Sequence, residues 1–166
     1  MNLEGQGIKL RQWTEADFES FAAMNADPAV MEFFPNRLSP EESRVTMDRL
    51  KRSIEERGWG LWAVEIDQAF AGFTGLAEPR FQARFTPCVE IGWRFHRRYW
   101  GQGYALEAAG VALRFAFDDL NLGEVVSFTA KLNVRSQRLM QRLGMTHCPA
   151  DDFDHPNVPA GHVLQP

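Results

Sequence analysis

Arg98-Tyr99-Trp100-Gly101-Gln102-Gly103-Tyr104-Ala105 joins two segments of different periodicity, and its reading decides the fold. Upstream, Val89, Ile91, Trp93 and Phe95 alternate with Glu90, Gly92 and Arg94, the two-residue period of a strand. Downstream, Leu106, Gly110, Leu113 and Phe117 recur at helical spacing, and Ala105, Ala109, Ala112 and Ala116 make the adjoining side nearly as apolar. A helix this apolar packs on a sheet. Asn121-Leu122-Gly123 suits a left-handed C-cap near Leu120, and Glu124 to Ala130 reads as the next strand. Strand, helix, strand implies a right-handed crossover and parallel pairing. Asn133 then caps a last helix that Gly144 closes.

Toward the amino terminus, Ile8, Leu10 and Trp13 suggest a short first strand. Thr14 opens a helix with early acids and a stripe of Phe18, Phe21 and Ala22, which Asp27-Pro28 breaks. Ser39-Pro40-Glu41-Glu42 starts a second helix, whose stripe runs through Val45, Leu50 and Ile54 to Gly58. Leu61 to Ile66, Phe70 to Ala77 and Val89 to Phe95 have strand length and form an antiparallel meander. The order β, two helices, three strands, then βαβα predicts a mixed α/β sheet, mostly antiparallel, flanked by helices.

The 166 residues are expected to form one domain, 1–166, because cores divide only well above ~250 residues. With 45% hydrophobic and 24% charged residues, a disordered chain is excluded. Cys88 and Cys148 have no metal-ligand or CxxC spacing, so disulfides do not organise the fold. No run approaches the ~20 apolar residues of a membrane span. MNLEGQGIKL reads as no signal peptide. A formal charge of −4 and a pI of about 5.6 argue against wrapping nucleic acid. The expectation is a soluble, cytoplasmic protein without membrane or nucleic-acid partners.

Glycines between a strand and a helix let bare backbone approach a ligand, and the free N–H groups of the helix end make an anion site. Arg97 and Arg98 add charge nearby, so the loop reads as a phosphate or pyrophosphate pocket or as a tight turn with surface arginines. A Walker loop needs GxxxxGK, and no lysine stands here. A dinucleotide fingerprint needs a third glycine where Leu106 stands.

Arg98, Gly101 and Gly103 fill the pattern of the acyl-CoA pyrophosphate loop, and the stretch resembles the GNAT acetyltransferase superfamily. The wider segment from Glu90 to Ala108 is similar to the RimJ/RimL-like branch, and Asn133-Val134-Arg135-Ser136 resembles that branch's Asn-x-x-Ser helix. The likeness covers nearly the whole chain, including Asn25-Ala26-Asp27-Pro28 and Gly58-Trp59-Gly60-Leu61-Trp62. It implies acetyl-CoA as donor, with pyrophosphate at the amides of Gln102, Gly103, Tyr104 and Ala105. It also implies a strand around Ile91, Gly92, Trp93 and Arg94 that pairs with the pantetheine arm. A main-chain N–H near Trp93 could then polarise the thioester carbonyl. By resemblance, Asn133 contacts the cofactor arm and Ser136 lies near the sulfur. The family pattern also has a further strand at the C-terminus, where this chain is expected to fall short.

Ser136 shares a stripe with Leu139, Met140 and Leu143, so its hydroxyl needs a partner. An amine must lose a proton before or as it attacks, which calls for a carboxylate or water relay. Glu90 is the candidate base, or else a solvent-facing strand residue; Asp151, Asp152 and Asp154 compete for the role. Phe33, Phe34, Trp59 and Trp62 wall an acceptor pocket or belong to the core. His147, Cys148, His155 and His162 fit no zinc pattern, so no metal is expected. The expected activity is acetyl transfer from acetyl-CoA to a primary amine by direct attack in a ternary complex. The amine belongs to a small molecule or a protein N-terminus. The alternative is a non-catalytic acyl-CoA-binding module. Whether the chain forms a homodimer stays open.

Overall fold

The computed structural model describes residues 2–164. Five strands form one antiparallel sheet in sequence order: β1 (Leu3–Gly5), β2 (Ile8–Arg11), β3 (Leu61–Ile66), β4 (Ala69–Ala77) and β5 (Glu90–Phe95). The meander lies where its apolar runs place it. Strand β1 was not legible in the pattern; it is three residues long and folds back on β2 through Gly7, whose φ is +70°.

Register assigns the faces. Trp62 lies opposite Thr74 and Ala63 opposite Phe73, so Phe73 and Trp62 look out of different sides. On the Phe73 side, Phe21 of α1 (Phe18–Ala26) meets Trp13, Phe70 and Phe73 with ring centroids 4.9 to 6.2 Å apart. On the other side, Trp62 meets Phe115 edge-on at 5.4 Å. Phe115 directly follows α3 (Tyr104–Arg114), so α3 covers that face. Trp13 lies beyond the end of β2 but is fully buried, and its indole N–H donates to the Leu61 carbonyl at 2.8 Å.

Helix α2 (Pro40–Arg57) has the predicted ends. Ser39 Oγ accepts from Glu42 N–H at 3.1 Å, Glu42 Oε2 accepts from Ser39 N–H at 2.7 Å, and Gly58 closes the helix at φ +79°. Its buried residues are Ser43, Met47, Leu50 and Ile54. Val45 is 69% exposed, contrary to the expected stripe, because two residues from Met47 is more than half a turn.

Before α1, the Arg11 guanidinium clasps Asp17 through both nitrogens at 2.8 Å, and Asp17 also accepts from the Thr14 N–H. Burial pushes the Asp17 carboxyl up, but Arg11 and Thr14 outweigh it and hold it below its ordinary value. Asp17→Asn should therefore cost about 3 kcal/mol in urea unfolding at pH 7, the scale of a broken buried pair. A depressed carboxyl stabilises above its unfolded value of 3.8 and loses that contribution as pH falls through its folded value, so the difference should shrink in acid.

Helix α3 turns its small side to the sheet. Ala108, Ala109, Val111 and Ala112 are buried, whereas Leu106, Gly110 and Leu113 are half-buried and Phe117 is 44% exposed. Alanine lets the helix axis come closer than leucine would, which corrects the expected order of the two stripes. A π turn over Phe115–Asp119 and Asn121 at φ +52° end the segment.

Residues 124–130 do not form the expected strand. They touch β5 through one parallel bridge, Glu90 to Val126, so the crossover is present but the ladder stops after one step. Helix α4 (Val134–Arg142) follows, capped by Asn133 and ended by Gly144 at φ +83°. No strand lies between α4 and Leu164; Gln165 and Pro166 are outside the described residues. No helix among the described residues is long and apolar enough to cross a membrane.

Candidate active site

The loop between β5 and α3 is held open by backbone geometry. Gly101 and Gly103 have φ of +73° and +86°, and a Cβ on either would meet nothing within 4 Å. The first amide of α3 with a main-chain partner is that of Glu107, which donates to the Gly103 carbonyl at 3.0 Å. The amides of residues 101–106 make no main-chain bond among the described residues, which leaves a row of donors at a helix N-terminus. Gln102 Nε2 donates to the Arg98 carbonyl at 2.7 Å and closes the loop with its side chain. Tyr99 and Tyr104 pack edge-on at 6.0 Å. Trp100 donates to the Phe95 carbonyl at 3.0 Å, and the Arg135 guanidinium lies 3.8 Å over its ring, fastening the start of α4 to the loop.

Arg97 and Arg98 are exposed and line a shallow cleft of about 380 Å³ with Ser20, Asp27 and His96. His96 Nε2 sits 2.9 Å from Ser20 Oγ, and burial together with the charge of Arg98 holds its imidazole below the ordinary value.

Beside the loop, β5 has a free outer edge. Ile91 N–H donates to the Val126 carbonyl at 2.8 Å, Val126 N–H to the Val89 carbonyl at 3.0 Å, and Ser127 Oγ to the Ile91 carbonyl at 2.9 Å. Alternation then points the N–H and C=O of Trp93 the same way as those of Ile91, and among the described residues neither has a partner. Gly92 leaves the surface beside it open, since a Cβ there would come no nearer than 3.9 Å to Leu61. Its carbonyl accepts from Thr74 Oγ1 at 2.9 Å.

Trp93 and the α4 motif converge on this edge. The Trp93 indole N–H donates to Ser136 Oγ at 3.2 Å, and Asn133 Oδ1 accepts from Ser136 N–H at 3.2 Å as the N-cap. Because Ser136 Oγ accepts from the indole, its own proton is free for another acceptor.

Glu90 begins β5 and projects from the face opposite Trp93. Its carboxylate has no hydrogen bond among the described residues, and burial pushes it up to about 7 from an ordinary 4.5. Such a group is near half-ionised at neutral pH. Of the competing acids, Asp152 is paired with His147 at 2.7 Å. Asp151 and Asp154 sit in a loop pinned by Phe81, Phe85, Phe128, Phe153 and His155, whose rings lie 4.8 to 6.2 Å apart. Trp62 is a fully buried core residue and walls nothing, while Phe34 is 38% exposed over Arg94. Among the described residues no histidine, cysteine or acid cluster could hold a metal ion.

Three residues have parts in the site that the pattern did not show: Thr74 and Ser127, which donate to the Gly92 and Ile91 carbonyls, and Trp100 as a bracket. For Thr74 and Ser127 a hydroxyl inside an otherwise apolar stretch was the available signal, since it must find a partner when buried.

The model of the family described as acetyltransferase (GNAT) domain matches residues 8–146. The chain belongs to the GNAT family. It is an acyl-CoA-dependent acetyltransferase, as the family resemblance implied. An Aspergillus fumigatus protein, FsC-acetyl coenzyme A-N(2)-transacetylase, is 35% identical over 131 residues, 75% of this chain but 56% of that longer protein. Among solved structures, an acetyltransferase from Agrobacterium tumefaciens is similar at TM-score 0.82 with 24% identity, covering 95% of this chain and 90% of the other. The RimL ribosomal L7/L12 alpha-N-protein acetyltransferase, solved in complex with coenzyme A, gives TM-score 0.70 at 15% identity over 86% of this chain and 82% of its own. These two likenesses show a shared fold.

Proposed function

We propose that the chain transfers the acetyl group of acetyl-CoA directly to a primary amine, with Glu90 as general base and Ser136 as hydrogen-bond donor to the leaving thiolate. The observation that carries this is the placement of a desolvated, unpaired carboxylate on the strand whose outer edge is free at Trp93. A module that only bound acyl-CoA would gain nothing from burying an unpartnered acid, which lowers stability above neutral pH.

Each residue has a part in this scheme. The amides of Gly101, Gln102, Gly103, Tyr104 and Ala105 receive the diphosphate at the helix end, and Arg97 and Arg98 add positive charge beside it. Ile91, Gly92 and Trp93 offer the pantetheine arm a strand edge. The Trp93 N–H faces the thioester oxygen and stabilises the charge that develops there. The amine attacks the carbonyl carbon from the Glu90 face, a C–N bond forms, the C–S bond breaks, and the amine proton passes to Glu90. The sulfur leaves as thiolate on the Ser136 side, where that hydroxyl donates a hydrogen bond to it, and it is protonated from solvent while Glu90 returns its proton to water. Asn133 holds Ser136 in place through the cap and contacts the arm. No covalent enzyme intermediate is needed. The L7/L12 acetyltransferase likeness keeps a protein N-terminus among the candidate acceptors, alongside small amines.

The test is thiol release from acetyl-CoA over a panel of amines, with mass detection of the acetylated product and calorimetric binding of acetyl-CoA measured alongside. Binding without release on any amine would overturn the catalytic reading. Ser136→Ala should lower kcat about tenfold or more, because one charge-assisted donor to the leaving group is lost, while the acetyl-CoA Kd shifts by less than about threefold. An unchanged kcat would remove Ser136 from the mechanism.

A further inference from the structure

Thr74 is the one polar side chain of β4, and it is fully buried. It lies opposite Trp93 in the register, and its hydroxyl donates to the Gly92 carbonyl at 2.9 Å. Chemistry fixes the direction of that bond, because a carbonyl has no proton to give. The Gly92 carbonyl and the Trp93 N–H belong to one planar trans peptide unit and point to opposite sides of it. Thr74 therefore holds the inner end of the unit whose outer end is the unpartnered N–H on the edge of β5. Ile91 N–H and C=O are already engaged, by Val126 and Ser127, so Trp93 N–H is the first outer-edge donor left to a guest.

A hydrogen bond accepted by a peptide carbonyl draws density from its nitrogen and strengthens the N–H as a donor, by about 10–30% per bond. It also pins the peptide plane, at a residue where glycine leaves the backbone few steric restraints. We propose that Thr74 is a positioning residue for the transfer: through the Gly92–Trp93 peptide it strengthens and aims the donor that meets the thioester oxygen. Being fully buried, it acts through the main chain rather than on the cofactor. A carbonyl has two lone pairs, so the hydroxyl adds to the strand ladder without displacing it. Valine, a commoner occupant of a buried strand, would fill the same space without the bond. The inference rests on the acetyl-transfer reading above, because the Trp93 N–H matters only when a thioester lies against it.

The experiment compares Thr74→Val, which keeps the volume, with Thr74→Ser, which keeps the hydroxyl. The first readout is the NMR shift of acetyl-CoA carrying carbon-13 at the thioester carbonyl, bound to each protein without an amine. Binding to the unaltered protein should move that resonance downfield of its free position. Thr74→Val should lose part of the displacement and Thr74→Ser should keep it. The second readout is kcat against the acetyl-CoA Kd. Losing an oxyanion donor outright costs about 10²–10³ in kcat, and a tenth to a third of that on a logarithmic scale is about two- to eightfold. Thr74→Val should lower kcat by that factor with Kd within about twofold, and Thr74→Ser should recover it. A merely structural hydroxyl would change urea unfolding and leave the bound resonance where it was. No displacement in the unaltered protein, or an unmoved resonance or unchanged kcat in Thr74→Val, would overturn the proposal while leaving acetyl transfer intact. A displacement that depends on Thr74, with no amine acetylated, would support the positioning role and defeat the transfer reading. Should Thr74→Val fail to fold, Thr74→Cys, close in volume and only a weak donor, is read in the same way.

Discussion

Gly103→Val is expected to weaken acetyl-CoA binding by about a hundredfold or more, with little change in the sheet. Gly103 sits at φ +86°, where a β-branched side chain costs on the order of 2–3 kcal/mol. Relief of that strain would rotate the amides of residues 101–105 out of their common direction. The space beside its Cα is open, so a valine would fold without a clash and place its methyl groups where the diphosphate is proposed to lie. Loss of a tenfold factor corresponds to about 1.4 kcal/mol, so strain and occlusion together exceed two such factors. Calorimetry with acetyl-CoA reads the effect, and thermal unfolding checks that the fold survives. Wild-type affinity in a folded Gly103→Val would refute the loop assignment.

Glu90→Gln is expected to lower kcat by roughly a hundredfold or more, the usual size of a general-base contribution, with acetyl-CoA affinity nearly intact. In the unaltered protein the acidic limb of the rate profile should fall with a midpoint near 7, the value burial gives Glu90. The same substitution should stabilise the fold above neutral pH. A carboxyl raised from 4.5 to about 7 favours the folded state only when protonated, so its cost is absent below 4.5 and fully present above about 7. That cost is on the order of 2–3 kcal/mol. Urea unfolding at pH 8 and pH 4 should therefore show the glutamine variant stronger only at the higher pH. Full activity at neutral pH would dismiss Glu90 as the base.

Much of the scaffold could be read from the chain because its signals are local. Ser39-Pro40 and Gly58 bracket α2, alternation marks the meander, and the glycine pair marks the strand-to-helix loop. What could not be read depends on partners distant in sequence. Leu3–Gly5 is a strand because β2 lies beside it and Gln6 N–H reaches Glu107 Oε1 at 3.1 Å. Residues 124–130 have strand composition but pair with β5 only at Val126, and no pattern within them reveals where a ladder stops. Asn133 and Ser136 were legible as a cap and a partner-seeking hydroxyl, whereas the bond from Trp93 required the fold. Arg94 read as the polar side of a strand, but the segment around Phe34 covers that side.

The single bridge at Val126 has a further consequence. A sheet margin with unsatisfied peptide groups is ordinarily an invitation for another chain to zip on, and proteins blunt such margins with charge or covering loops. Here residues 124–127 shield the first part of β5, and the rest stays available for a guest that brings its own amides. Selection against sticky borders and selection for a docking seam act on the same few peptide units.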